Sequence, residues 1–229
     1  RGIKEKTDRM IKGAIFDVDG TLVDSMDMWN HCGVNYLKSR GITPEPGLSE
    51  KLATFPINVT GEYLREHYHI DRSAAEITKD LNDTALDFYM NRAERKPYVT
   101  ELLDALSEAG VLMITATASD SGVVRRLLRR LGLEKYFSGI YSCEELGWDK
   151  MHPECYLKCL TILDTEKETT WVFEDMLHAA HSAHLAGLRV GGMYDRPSAA
   201  NEEIMRSFCD RYLKTEEDFR RFIEEEISD

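Results

Sequence analysis

At 229 residues the chain is long enough to bury a hydrophobic core, as one large domain or as a core with a modest insert. A formal charge of −12 and a pI of ≈ 5.1 repel polyanions at long range and exclude nucleic acid or an anionic membrane as the main partner. Five scattered cysteines (Cys32, Cys143, Cys155, Cys159, Cys209) with no CxxC pair, no signal-like N-terminus and no apolar run of membrane-spanning length point to a soluble cytoplasmic protein without disulfides or structural zinc.

Met10 is a candidate natural start, so the nine residues before it are set aside as a tail or expression scar. Residues 11–16 (IKGAIF) form a short apolar run that ends in acidic residues and glycine, as a buried parallel strand with a functional carboxyl edge would. From Ser25 to about residue 95 the pattern is helical. Trp29, Cys32, Tyr36 and Leu37 make one stripe; Ala74, Ile77, Leu81, Ala85 and Phe88 make another, opened by a Ser73/Glu76 capping box. A glycine- and proline-rich stretch, 41–56, separates the two.

From Pro97 onward, strand and helix patterns alternate. A helix with Leu102, Leu103, Leu106 and Ala109 closes at Gly110, and a strand follows over 111–116, ending at Thr117. Arg125, Arg126, Arg129 and Arg130 interleave with apolar residues on a second helix that closes at Gly132, which reads as a solvated face and not as a nucleic-acid patch. Further strands are expected at 170–173, at 189–193 and, as a short one, at 211–214, with Thr215 and Asp218 opening a terminal helix. The implied fold is α/β: a doubly wound, mainly parallel Rossmann-like sheet formed by 10–24 plus 96–229, with an all-helical insert at 25–95. In such sheets ligands lie beyond the carboxyl ends of the strands, where the polar residues of this chain fall.

The central signal is Asp17-Val18-Asp19-Gly20-Thr21 at the end of the first strand. Two carboxylates two residues apart suit a nucleophile and a general acid/base, and Gly20 permits the tight turn between strand and loop. Neither carboxylate would approach a phosphate dianion unaided, so a divalent cation is required, and Mg2+ suits the hard oxygen ligands. Asp175, at the end of a later strand, is a natural second carboxylate ligand. Thr117, Lys150 and Glu174-Asp175 add the hydroxyl, the ammonium and the acidic pair that a phosphoryl site needs beyond the first motif.

With these residues in place, the chain resembles the haloacid dehalogenase superfamily, in the large branch with helical caps that contains β-phosphoglucomutase and phosphoglycolate phosphatase. The four motifs occur in order as FDVDGTLVDS (16–25), ITATAS with Thr117, Lys150-Met151-His152-Pro153 and VFED (172–175). The resemblance implies Asp17 as nucleophile and Asp19 as general acid/base. It also implies phosphate contacts from Thr117, the Ala118 N–H and Lys150. Mg2+ would be held by Asp17, Asp175 and the Asp19 carbonyl, with Glu174 in or next to its coordination sphere. Asp19 favours phosphate-ester chemistry over dehalogenation. Met151 stands where proline is usual, and Met176 and Ala179 where serine and glycine are common.

The expected activity is hydrolysis of a small phosphomonoester, such as a sugar or polyol phosphate or phosphoglycolate, through an aspartyl-phosphate, by a monomeric protein. A β-phosphoglucomutase-like mutase and a non-catalytic phosphometabolite sensor are the alternatives. Trp29 stands where those mutases carry histidine, which disfavours the first of them. Specificity is expected in the helical segment, where Trp29 and Lys51 are candidate substrate contacts; core packing and simple solvation are their competing roles. His178, His181 and His184 recur every three residues, a spacing that splays the outer two and leaves His178 nearest the cleft.

Overall fold

The computed structural model describes residues 10–52, 55 and 57–227, so the nine residues before Met10 lie outside it. Its strands are β1 (Gly13–Phe16), β2 (Val23–Asp24), β3 (Glu94–Arg95), β4 (Leu112–Thr117), β5 (Gly139–Ser142), β6 (Thr170–Glu174), β7 (Arg189–Met193) and β8 (Arg211–Leu213). Six of them form one sheet in the order β5-β4-β1-β6-β7-β8, every pairing parallel. The chain winds outward from β1 through β4 to β5, then returns to β6 on the other side of β1 and winds outward again. The direction therefore reverses between β1 and β6, and the crevice beyond their carboxyl ends is the place for a ligand.

Side-chain alternation along the strands separates two packed faces. Ile15, Ile114, Val172 and Val190 pack with Cys155, Tyr156, Cys159, Leu160 and Leu163 of the helix Pro153–Leu163. Cys155 and Cys159 are fully buried and behave as small apolar groups. The alternate residues carry aromatic rings: Phe16 stacks on Phe173 at 4.5 Å, and Phe222 of the terminal helix meets Trp171 and Phe173 edge-on at 4.8 and 5.5 Å. Gly191 pairs with Phe173 in register, and a Cβ there would meet the Phe173 ring at 2.8 Å. The terminal helix opens with the Thr215/Asp218 capping box that the sequence suggests.

The chain divides into two compact units: one gathers the residues up to Asp24 with those from Glu94 onward, and the other is Ser25–Ala93. The second unit is helical, with Met26–Ser39, Leu48–Leu52, Ile57–His67 and Ala74–Asn91. Cys32, Tyr36, Leu37, Leu48, Leu52, Leu64, Ile77 and Leu81 form its core, and the Ser73/Glu76 capping box is present. Three details differ from the sequence expectation. Leu48–Leu52 is a helical turn inside the expected loop, too short to show a period, and its two leucines drop into the core one turn apart. Tyr89 is buried on the last long helix, whereas Phe88 is partly exposed. Glu94 and Arg95 pair antiparallel with Asp24 and Val23 and so belong with the sheet unit.

Candidate active site

The register sets the geometry of the site. Phe16 pairs with Phe173, so Asp17 and Glu174 occupy the next level on neighbouring strands, and the Asp17 N–H donates to the Phe173 carbonyl at 3.0 Å. Beyond Asp17 the chain turns sharply. The N–H groups of Thr21, Leu22 and Val23 all point to the Val18 carbonyl, and Gly20 adopts φ 87°, a left-handed conformation that costs glycine little. That turn brings the buried Thr21 hydroxyl to Asp175 Oδ1 at 3.4 Å and leaves Asp19 half-buried, accepting from the Ser119 hydroxyl at 2.9 Å.

Lys150 reaches the same crevice from the loop before the helix Pro153–Leu163. Its buried ammonium donates to Asp17 Oδ1 and to Glu174 Oε1, the latter at 2.7 Å. Burial alone would push that ammonium down, but Asp17 and Glu174 outweigh it and hold it above the ordinary lysine range. Burial and then Glu174 push the Asp17 carboxyl from 3.8 up to about 6, against the opposing pull of Lys150. Asp175 moves the same way, through burial first and then Asp17, Glu174 and Asp195.

Three buried carboxylates against one ammonium leave negative charge in a dry crevice. Oxygens of Asp17, Glu174 and Asp175 all lie within 4.8 Å of one another, and among the described residues this is the one such set of three or more His, Cys, Asp or Glu side chains. Asp17 Oδ2 and Asp175 Oδ2 are buried with no hydrogen-bond partner. Unsatisfied carboxylate oxygens are costly, and a hard divalent cation would satisfy both. The donor set therefore fits such an ion.

Thr117 is the last residue of β4, buried, with its Oγ1 accepting from the Ser119 N–H at 3.1 Å. Ala118 follows it as an exposed residue of the bend. The sheet unit thus brings Asp17, Thr117, Lys150, Glu174 and Asp175 to one carboxyl edge, with Asp19 and Ala118 in the loops that leave it. Trp29 and Lys51 belong to the helical unit. Trp29 is half-buried and donates from Nε1 to the Tyr89 hydroxyl at 2.9 Å, a packing contact. Lys51 donates to the Tyr63 hydroxyl at 2.8 Å and lies 4.4 Å from that ring's centre.

Sequence reasoning misses several partners of these groups. Ser119 closes the ITATAS motif, and its position two residues past Thr117 is the available signal. Thr21 belongs to the first motif, where its hydroxyl has no role that the sequence predicts. Tyr156 donates to Glu174 Oε1 at 3.3 Å, and nothing in its helical stripe marks it as polar in role. Lys96 and the buried Asp195 form an ion pair just past β7, with Lys96 also donating to the Tyr194 carbonyl at 2.7 Å. The three spaced histidines line a shallow groove of about 710 Å³ with Phe208 and Ile204 and take no part in the acidic set. His181 and His184 each rest on the Phe208 ring at 5.5 Å.

No helix among the described residues is long and apolar enough to cross a membrane. A family model described as haloacid dehalogenase-like hydrolase matches residues 14–193. The chain is 27% identical to hexitol phosphatase B of Escherichia coli over 80% of this chain and 83% of the relative. It is 26% identical to a phosphorylated carbohydrates phosphatase of Thermotoga maritima, over 78% and 82% respectively. Among solved structures, CbbY of Rhodobacter sphaeroides in complex with phosphate superposes with a TM-score of 0.73 at 23% identity, covering 93% of this chain and 96% of that one. The likeness in fold, the match over most of the chain and the acidic crevice at the switch point agree: this chain belongs to the haloacid dehalogenase-like hydrolases, as a phosphoric monoester hydrolase.

Proposed function

We propose that the chain hydrolyses small phosphomonoesters of the sugar- or polyol-phosphate type in a Mg2+-dependent reaction, through a phosphoryl ester on Asp17. The observation that carries this reading is the unpartnered Asp17 Oδ2, buried at the switch point beside Lys150, Glu174 and Asp175. The Asp17 carboxylate attacks phosphorus while Lys150 and Thr117 draw charge from the phosphoryl oxygens. Asp19, oriented by Ser119, protonates the departing alkoxide and later takes the proton of the water that cleaves the Asp17 ester. Mg2+ held by Asp17, Asp175 and the Asp19 carbonyl, with Glu174 close by, would neutralise the charge gathered there. The hexitol and carbohydrate phosphatases among the relatives support the substrate class, and the helical unit is assigned the selection of the leaving group.

Phosphate release from a panel of hexitol phosphates, hexose phosphates and phosphoglycolate, with and without Mg2+, tests the assignment. Release is expected to require Mg2+ and to be fastest with the sugar and polyol esters. No release across the panel, or isomerised ester without free phosphate, would overturn it.

The same carboxylates make cation binding depend on pH. A carboxyl raised from 3.8 to about 6 on folding contributes stability that is complete in acid and is lost as pH rises through about 6. Without cation, the folded protein therefore carries uncompensated charge at neutral pH. Mg2+ binds the deprotonated site, so its thermal stabilisation should be a few degrees at about pH 7.5 and largely vanish by about pH 5. Equal stabilisation at the two pH values in a melting experiment would place Mg2+ elsewhere.

A further inference from the structure

Tyr156 stands in the middle of the helix Pro153–Leu163 and is 1% exposed, packed among Ile114, Cys155 and Val172. Phenylalanine would fill that space equally well, and a buried hydroxyl is retained at a cost unless it is bonded. The bond it makes is to Glu174 Oε1, at 3.3 Å, on the same oxygen that takes the Lys150 ammonium at 2.7 Å. The other oxygen of Glu174 accepts from the Met176 N–H at 3.4 Å. Lys150 in turn bridges to Asp17. The four side chains therefore form a chain of contacts in which Glu174 and Asp17 compete for one ammonium.

We propose that Tyr156 is a positioning residue for phosphoryl transfer, acting through Glu174 to keep the Lys150 ammonium available to Asp17 and the transferring phosphoryl group. A carboxylate oxygen shared between two donors pulls less on each of them. Without the phenol, Glu174 Oε1 keeps the Lys150 ammonium as its remaining side-chain donor and draws it toward itself. An ammonium has three N–H groups, and the structure commits two of them, to Asp17 and Glu174. The third is the one left for a phosphoryl oxygen, and its direction depends on where the other two are held. This inference rests on the phosphoryl-transfer reading above.

Tyr156→Phe removes one oxygen and nothing else. A hydrogen bond to a charged group is worth enough that kcat should fall, and the Kd for inorganic phosphate measured by calorimetry with Mg2+ should rise, each by about tenfold. In a Glu174→Gln background the same substitution should change both by less than about twofold, because the charge through which the phenol acts is gone. Values within about twofold of wild type for Tyr156→Phe alone, or an equal loss in both backgrounds, would overturn the proposal and leave Tyr156 a packing residue. If wild type binds phosphate and Tyr156→Phe weakens that binding while no ester is hydrolysed, the positioning role stands and the phosphatase reading fails. Absence of both turnover and phosphate binding in wild type overturns the two together.

Discussion

Replacing Asp17 with asparagine should reduce phosphate release by at least about 10³-fold, because an amide oxygen is too weak a nucleophile to form the phosphoryl ester. The shape of the side chain is retained, and the amide oxygen can still accept from Lys150 as Asp17 Oδ1 does. Stability should move in the opposite direction. Burial and the neighbouring Glu174 raise the Asp17 carboxyl to about 6, so at neutral pH the ionised form is held against its surroundings. The amide of the variant carries no such charge and relieves the crowding with Glu174 and Asp175. In the absence of divalent cation, Asp17→Asn should therefore melt at or above the wild-type temperature while being inactive. A near-wild-type rate of phosphate release would remove Asp17 from the chemistry. A large fall in melting temperature would mean that Asp17 serves the fold, not the reaction.

Lys150→Met should have the largest effect on stability. Methionine keeps much of the apolar stem but leaves Asp17 and Glu174 in a dry crevice without their ammonium. Breaking a buried ion pair from one side costs about 3–5 kcal/mol. For a chain of this size that corresponds to a fall in melting temperature on the order of 10 °C. The sign with pH follows from the carboxylates. Without the opposing ammonium, the Asp17 carboxyl rises further above 3.8, so the variant's added instability is greatest at neutral pH and shrinks as acid protonates the group. Mg2+ should recover part of the loss by replacing some of the missing positive charge, although phosphate release should remain abolished. Thermal melts at about pH 5 and pH 7.5, with and without Mg2+, give the four values needed. An unchanged melting temperature at neutral pH would contradict the buried ion-pair geometry.

These two variants separate what Asp17 and Lys150 do, and both residues are legible in the sequence, though for different reasons. Asp17 and Asp19 follow a short apolar run and precede a glycine that takes a positive φ, and a strand followed by a tight turn is local information. Lys150 is marked mainly by its place in the order of motifs, since a lysine in a loop has no period of its own. The strand β5 leaves no sequence signal because Gly139–Ser142 is a run of four with a glycine and a serine, too brief for an alternation to declare itself. The apolar stripe that predicts Phe88 as buried runs directly beside Tyr89, and packing within the helical unit selects the tyrosine.

The sequence alone determined the strand-end turn that carries Asp17 and Asp19, the helical pattern of 25–95 and the alternation of strands and helices after it. All of these depend on interactions within a few residues, which side-chain period and turn chemistry record. Only the tertiary structure decided that β1 and β6 are neighbours and that Tyr156 shares Glu174 with Lys150. It also decided that Ser119 holds Asp19 and that Lys96 pairs with Asp195. Ser119 is separated from Asp19 by 100 positions and Asp195 from Lys96 by 99, and such partners are chosen by strand order and register. A one-residue slip in register would turn the strand residues to the opposite face and displace the loops at the strand ends that carry these side chains.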